Sequence, residues 1–139
     1  MDNLSPEARR HTMQRVRGKD TGPEWAVRRL LHALGYRFRL HRRDLPGCPD
    51  LVLPGRRAAL FVHGCFWHLH RCKAGRNPPR TNAAYWQAKR ERNRKRDWAN
   101  RRRLVRLGWR VLVVWECELR KAPVLQRRLR SFLGPARPK

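Results

Sequence analysis

Acidic side chains are scarce in this sequence. Asp and Glu number 10 among 139 residues against 35 Lys and Arg, a formal net charge of +25 at pH 7. So strong an imbalance exceeds what solubility requires and implies an acidic polymer as partner. Nucleic acid fits best, because basic side chains that neutralise phosphates gain affinity by counterion release and the same field speeds encounter. A GC-rich coding sequence would explain Arg in place of Lys, but not the missing acids. Long apolar runs are absent as well. No stretch approaches the roughly 20 residues a bilayer-spanning helix needs, so no membrane association is expected. The N-terminus, Met1-Asp2-Asn3-Leu4-Ser5-Pro6, has no basic region followed by an apolar run, and the expected location is therefore the cytoplasm. Cysteines are few: Cys48, Cys65, Cys72 and Cys117. In a reducing compartment they read as metal ligands, core thiols or reactive groups rather than disulfides. Neither an internal repeat nor an inter-domain linker is visible.

What is present belongs to a folded domain. Apolar residues make up 40% of the chain and include six Trp, unlike a disordered basic tail. The length suits one domain, 1–139, with the segment 1–20 expected to contact DNA and to order on binding. A short helix is expected over 5–17. A second begins at Thr21, with Pro23 in its first turn and Glu24 at the capping-box spacing; Trp25, Val27, Leu30, Leu31 and Leu34 form its apolar stripe and Gly35 ends it. Strands are expected over 36–40, 50–53 and 58–62, forming a meander. An irregular stretch holding Pro78 and Pro79 precedes a long basic helix from Thr81 as N-cap to Leu107, closed by Gly108. A buried strand over 109–115 and a helix over 124–133 complete the order α-β-β-β-α-β-α, an α/β arrangement with a mixed sheet flanked by helices.

The densest chemistry is His63-Gly64-Cys65-Phe66-Trp67-His68-Leu69-His70-Arg71-Cys72, five potential metal ligands in ten residues. Cys65, His70 and Cys72 are close enough to fold around one zinc ion, with Cys48 and Cys117 competing for the fourth place. The alternative is that the spare cysteines are ordinary buried thiols and the histidines contact phosphate. A second constellation is Leu45-Pro46-Gly47-Cys48-Pro49-Asp50-Leu51-Val52, where an acid opens a strand. Such a carboxylate suits Mg²⁺ held against a scissile phosphate, although Asp after Pro is also ordinary turn chemistry. Where restriction-type nucleases carry Glu-x-Lys on the next strand, this chain has Phe61-Val62-His63. Histidine must then stand in. Imidazole titrates near neutrality, so His68 suits proton abstraction from water and His63 suits stabilising a phosphorane.

These motifs, with Trp86-x-x-Lys89-x-x-x-Asn93-x-x-Arg96-Asp97 and Gly108-Trp109-x-Val111-x-x-Val114-Trp115-Glu116-Cys117, resemble the very-short-patch (Vsr) repair mismatch endonucleases from about Met13 to Leu119. The resemblance implies a restriction-endonuclease-like fold with one structural zinc site, and a DNA endonuclease that nicks 5′ of the thymine in a T·G mismatch. It implies Mg²⁺ on Asp50 and the backbone carbonyl of Val62, His68 as general base, and His63 and Glu24 in support. It assigns zinc to Cys65, His70, Cys72 and Cys117, and a wedge of Met13, Phe66 and Trp67 inserted beside the weakly stacked wobble pair. The expected partner is mismatched double-stranded DNA, bound by a monomer at the bacterial nucleoid, with mismatch-repair proteins nearby.

Several residues keep two readings. Glu24 is a capping-box residue or a site residue. Trp86, Trp98, Trp109 and Trp115 read as core. Lys89 and Asn93 share a helix face with Asp97 and read as DNA contacts, while Asp97 is a site residue or an ion-pair partner of a neighbouring Arg. The run 90–103 reads as a solvated or phosphate-facing surface. Rival functions are a related nicking or restriction-like endonuclease of other specificity, and a non-catalytic zinc-stabilised DNA-binding protein.

Overall fold

A computed structural model describes residues 22–68, 70–76 and 81–136. The expected helix over 5–17, the wedge residue Met13, the cap Thr21 and the prolines Pro78 and Pro79 lie outside the described residues.

Helix α1 spans Gly22–Ala33, with Pro23 and Glu24 in its first turn and Gly35 (φ +89°) just beyond its end. Its inner face is Glu24, Val27, Arg28 and Leu31, a spacing of three and four that places two charged residues in line with two apolar ones. Trp25, expected in the apolar stripe, is instead exposed on the other side, with the Arg28 guanidinium over its ring.

Strands β1 (Arg39–Leu40), β2 (Leu51–Leu53), β3 (Ala58–His63) and β4 (Arg110–Trp115) form one sheet in that order. β1, β2 and β3 pair antiparallel as a meander, whereas β4 pairs parallel to β3, from Ala58 opposite Arg110 to His63 opposite Trp115. A parallel neighbour requires a crossover. That crossover contains the four-residue helix α2 (Lys73–Arg76) and the 24-residue helix α3 (Ala83–Arg106), about 36 Å long at 1.5 Å per residue. A 3₁₀ stretch, Glu116–Lys121, leads into α4 (Ala122–Leu133).

Both faces of the sheet are covered, and side chains alternate between them. Leu51, Leu53, Ala58, Leu60, Leu112 and Val114 pack against Val27 and Leu31 of α1 and Leu125, Leu129 and Leu133 of α4. Val52, Ala59, Phe61 and Val111 face the other way, towards Leu104 of α3 and Trp109. The arrangement explains why β3 is a continuous apolar run: with helices on both sides, neither face meets water.

Three element boundaries differ from the sequence expectation for visible reasons. The first strand shrinks from 36–40 to Arg39–Leu40 because Tyr36 is buried and donates its hydroxyl to the Gly134 carbonyl, so residues 36–38 serve packing instead of pairing. Helix α3 starts after Asn82, held in the left-handed region at φ +47°, and not at Thr81. Trp109 belongs to the helix end rather than the strand, since its N–H bonds the Leu104 carbonyl after the chain reverses at Gly108 (φ +91°).

Of the four tryptophans read as core, only Trp109 lies in it. Trp86 and Trp115 are half-buried and Trp98 is 58% exposed. None of the described helices is long and apolar enough to cross a membrane.

Leu60 has no exposed surface and sits at the centre of the larger cluster. Replacement Leu60→Ala should cost about 2–5 kcal/mol in urea unfolding. Val105→Ala, on the exposed end of α3, should stay within about 0.5 kcal/mol.

Candidate active site

The C-terminal ends of β3 and β4 and the start of β2 open into one cleft, walled on one side by α3. Asp50 precedes β2, and its Oδ2 accepts the Val62 N–H at 2.7 Å. Glu24 of α1 and His41 converge on the same carboxylate, and the donor atoms of Glu24, His41 and Asp50 lie within 4.8 Å of one another. Two carboxylates and an imidazole so disposed suit a divalent cation. Burial pushes Asp50 up to about 7, against the Val62 N–H and the Arg28 charge, which favour the ionised form, and with the neighbouring Glu24, which opposes it.

A second group stands beside the first. His63 ends β3, His68 lies on the following turn, and their rings stack at 3.9 Å between centroids and 5° between planes. Asp97 of α3 reaches both, with Oδ2 at 2.5 Å from His68 Nδ1 and 3.9 Å from His63 Nδ1. Asp97 thus has a histidine partner in the cleft besides any neighbouring Arg. Burial, and then the adjacent His68, hold His63 down at about 3, so its ring is neutral at any working pH.

The third group is the cysteine cluster. Donor atoms of Cys65, His70, Cys72 and Cys117 lie within 4.8 Å of one another. A tetrahedral ion with ligands about 2.3 Å away separates them by roughly 3.7 Å, so three sulfurs and one imidazole this close fit such a shell. Cys48, the competitor for the fourth place, is not in the group. The register explains the outcome: His63 faces Trp115, so Cys65 and Cys117 each follow their strand by two residues and meet, the Cys117 N–H reaching Cys65 Sγ at 3.4 Å. His70 stacks on Trp115 at 4.1 Å. A Cβ at Gly75 would stand 1.9 Å from the His70 carbonyl oxygen, so only glycine lets α2 close over this loop.

Phe66 and Trp67 lie on the loop between the histidines and the cysteines, half-buried and in edge contact at 4.9 Å. Trp86 of α3 extends the group, 5.4 Å from Trp67, with Tyr85 beyond it. Asn93 bonds the Trp67 carbonyl at 3.3 Å, and Lys89 lies 5.7 Å over Trp86.

Comparison with known proteins gives the family. The family model for the DNA mismatch endonuclease Vsr matches residues 1–74. The chain is 57% identical over 135 residues to the type II nicking enzyme V.XorIIP of Xanthomonas oryzae pv. oryzae, covering 97% of this chain and 98% of that one. It is 42% identical over 112 residues to the DNA mismatch endonuclease Vsr of Escherichia coli, covering 81% of this chain and 71% of that one. The chain belongs to the Vsr family. It is a DNA endonuclease, and the residues that could do the chemistry are those on the floor of the cleft.

Within this Vsr-family site, three residues had no place in the sequence reading. Arg28 lies under Glu24, 3.4 Å from Oε2, and its guanidinium also reaches His41 Nε2 at 3.1 Å. Spacing along α1 was the available signal, since Arg28 is one turn from Glu24. His41, in the left-handed region at φ +47°, had none. Arg90 corrects the reading of 90–103 as a solvated surface: it is 1% exposed, stacks on Phe66 at 4.2 Å and donates to the carbonyls of Phe66 (2.7 Å) and Gly75. It ties the aromatic loop to the cysteine loop.

The raised Asp50 makes a pH dependence. Its folded value, about 7 against 3.8 unfolded, means the folded state binds more protons between those values, so stability falls as pH rises through that window. Asp50→Asn should therefore be more stable than the parent above pH 7, by roughly 1–4 kcal/mol without added divalent cation, and the gap should close as pH falls towards 4. Urea unfolding across pH 4–8 measures it; a gap that does not change with pH would contradict the burial argument.

Proposed function

We propose that this protein is a Mg²⁺-dependent mismatch endonuclease that nicks one DNA strand on the 5′ side of the thymine in a T·G pair, with Zn²⁺ bracing the catalytic loop. One observation carries the reading: His68, held by Asp97, faces the same cleft as the half-buried Asp50. The fold is restriction-endonuclease-like in this reading, with His63 where the second acid and lysine of that pattern would stand.

Asp50 and the Val62 carbonyl would hold Mg²⁺. An extended residue points its N–H and C=O to the same edge, and the Val62 N–H already bonds Asp50, so its carbonyl faces the same side. When bound there, the ion would supply Lewis-acid polarisation of the scissile phosphate. His68 donates Nδ1–H to Asp97, which fixes the ring and leaves Nε2 to take a proton from the attacking water. His63, neutral and stacked on His68, donates a hydrogen bond to the phosphate oxygens as charge grows there. Glu24 and His41 sit beside Asp50 and orient it. Phe66 and Trp67, with Met13, form the wedge that enters beside the wobble pair, where unstacking costs least. Lys89 and Asn93 contact the strand. Cys65, His70, Cys72 and Cys117 would hold Zn²⁺, and because His68 lies between two of these residues in sequence, their convergence on one ion would brace the loop that carries the base. The domain acts as a monomer at the nucleoid.

A panel of matched and mismatched duplexes, with and without Mg²⁺, tests substrate and cofactor together. Only T·G duplexes should be nicked, in the T strand, and only with Mg²⁺. Asp50→Ala should lower nicking by at least about a thousandfold and leave mismatch binding within a few-fold; a wild type that nicks no duplex would defeat the reading. Because relatives are named type II nicking enzymes, preference for another mismatch or flanking sequence is the alternative the panel separates. Metal analysis should find one zinc per chain, lost together with folding in Cys72→Ala; protein with no zinc would refute the structural ion alone.

A further inference from the structure

Helix α3 presents two neighbouring stripes to the cleft. Asn93, Asp97 and Asn100 are half-buried and turned to its floor, where Asp97 meets His68. One position on, Arg94, Trp98 and Arg101 share a face at the spacing of four and three. All three are exposed, and all three line the same cleft. Trp98 is 58% exposed, on a helix otherwise so polar that only Arg90 and Leu104 are buried. It packs in neither core cluster.

From this placement we infer that Trp98 is a DNA-contacting residue distinct from the wedge, whose indole covers the flat face of a nucleotide flanking the scissile phosphate while Arg94 and Arg101 hold the adjoining phosphates. The inference rests on the reading of the cleft as the DNA site and adds to it an affinity-determining contact on the helix wall. Three physical points support it. A large apolar surface left in water is stabilised once an apolar partner covers it. In a stripe of Arg-Trp-Arg, a nucleic-acid strand satisfies all three, with charge outside and apolar faces within, and the net charge of +25 favours that polyanion. The position one residue beyond Asp97 sets the contact next to the chemistry rather than at a distant part of the duplex.

The contact is apolar, so it should affect binding without touching the salt dependence. Trp98→Ala should raise the Kd for a T·G duplex, measured by fluorescence anisotropy with Mg²⁺ omitted, by about 5- to 50-fold, in line with roughly 1–3 kcal/mol for one aromatic–base contact. The slope of log Kd against log salt should stay as in the parent. Trp98→Phe should recover most of the affinity, and kcat with saturating DNA should change less than threefold. Arg94→Ala and Arg101→Ala should each flatten the salt slope by about one. A duplex with an abasic flanking nucleotide separates the two faces available: the Trp98→Ala defect disappears there if the indole stacks on the base and persists if it packs on the deoxyribose. Binding of Trp98→Ala within twofold of the parent, with the parent still nicking, would overturn the inference and leave the proposed function standing. No nicking by the parent would overturn the function instead.

Discussion

Everything at the functional end of this molecule depends on the parallel register of β3 with β4. That register sets His63 opposite Trp115, so the residues leaving the two strands, Cys65 and Cys117, arrive side by side, and Trp115 is left with an edge towards His63 and a face towards His70. A slip of one residue would turn His63 to the other face of the sheet and part the sulfurs. The pairing is held by apolar residues buried on both faces, so a core with no chemistry of its own positions two candidate metal sites. Parallel pairing also demands a crossover, and the long helix that provides it brings Asp97 to His68 and Arg90 to the loop between them.

The shortage of acid gives the second organising constraint. With so few carboxylates in a strongly basic chain, those present are placed with care. Glu24, Asp50 and Asp97 line the cleft, and Glu118 holds Arg128 at 2.5 Å while accepting the Trp115 N–H. In the cleft, histidine takes places where carboxylates would repel one another. A neutral, buried His63 can stack on His68 without charge repulsion, and Asp97 lies closer to His68 than to His63. Arg28, under Glu24, supplies positive charge near two adjacent carboxylates, one buried and one half-buried, that would otherwise be hard to keep ionised together.

Much of the architecture was legible from periodicity. The apolar runs at β2, β3 and β4, the existence of α1 with Val27 and Leu31 inside, and the long basic helix were all expected, because burial on one or two faces leaves a period in the sequence. Where tertiary packing outweighed local pattern, the expectation failed. Tyr36 is spent on a contact with Gly134, almost a hundred residues away, so its segment leaves the sheet. Trp25 and Trp98 look like core by type and are exposed by position. Arg90 looks like one more surface charge and is, with Leu104, one of the two buried side chains of α3.

By itself the sequence determined the class of partner, the family, and the density of ligands between His63 and Cys72, because charge balance and residue types in short motifs need no third dimension. The family resemblance had already preferred Cys117 to Cys48; tertiary structure shows how Cys117 reaches the other three donors, and it alone brings Asp97 to His68 and His41 and Arg28 to the neighbourhood of Asp50. The physical reason is the same in each case. These groups lie on different elements, 13 to 52 residues apart for the contacts seen, and only strand register and helix rotation bring their atoms within bonding reach.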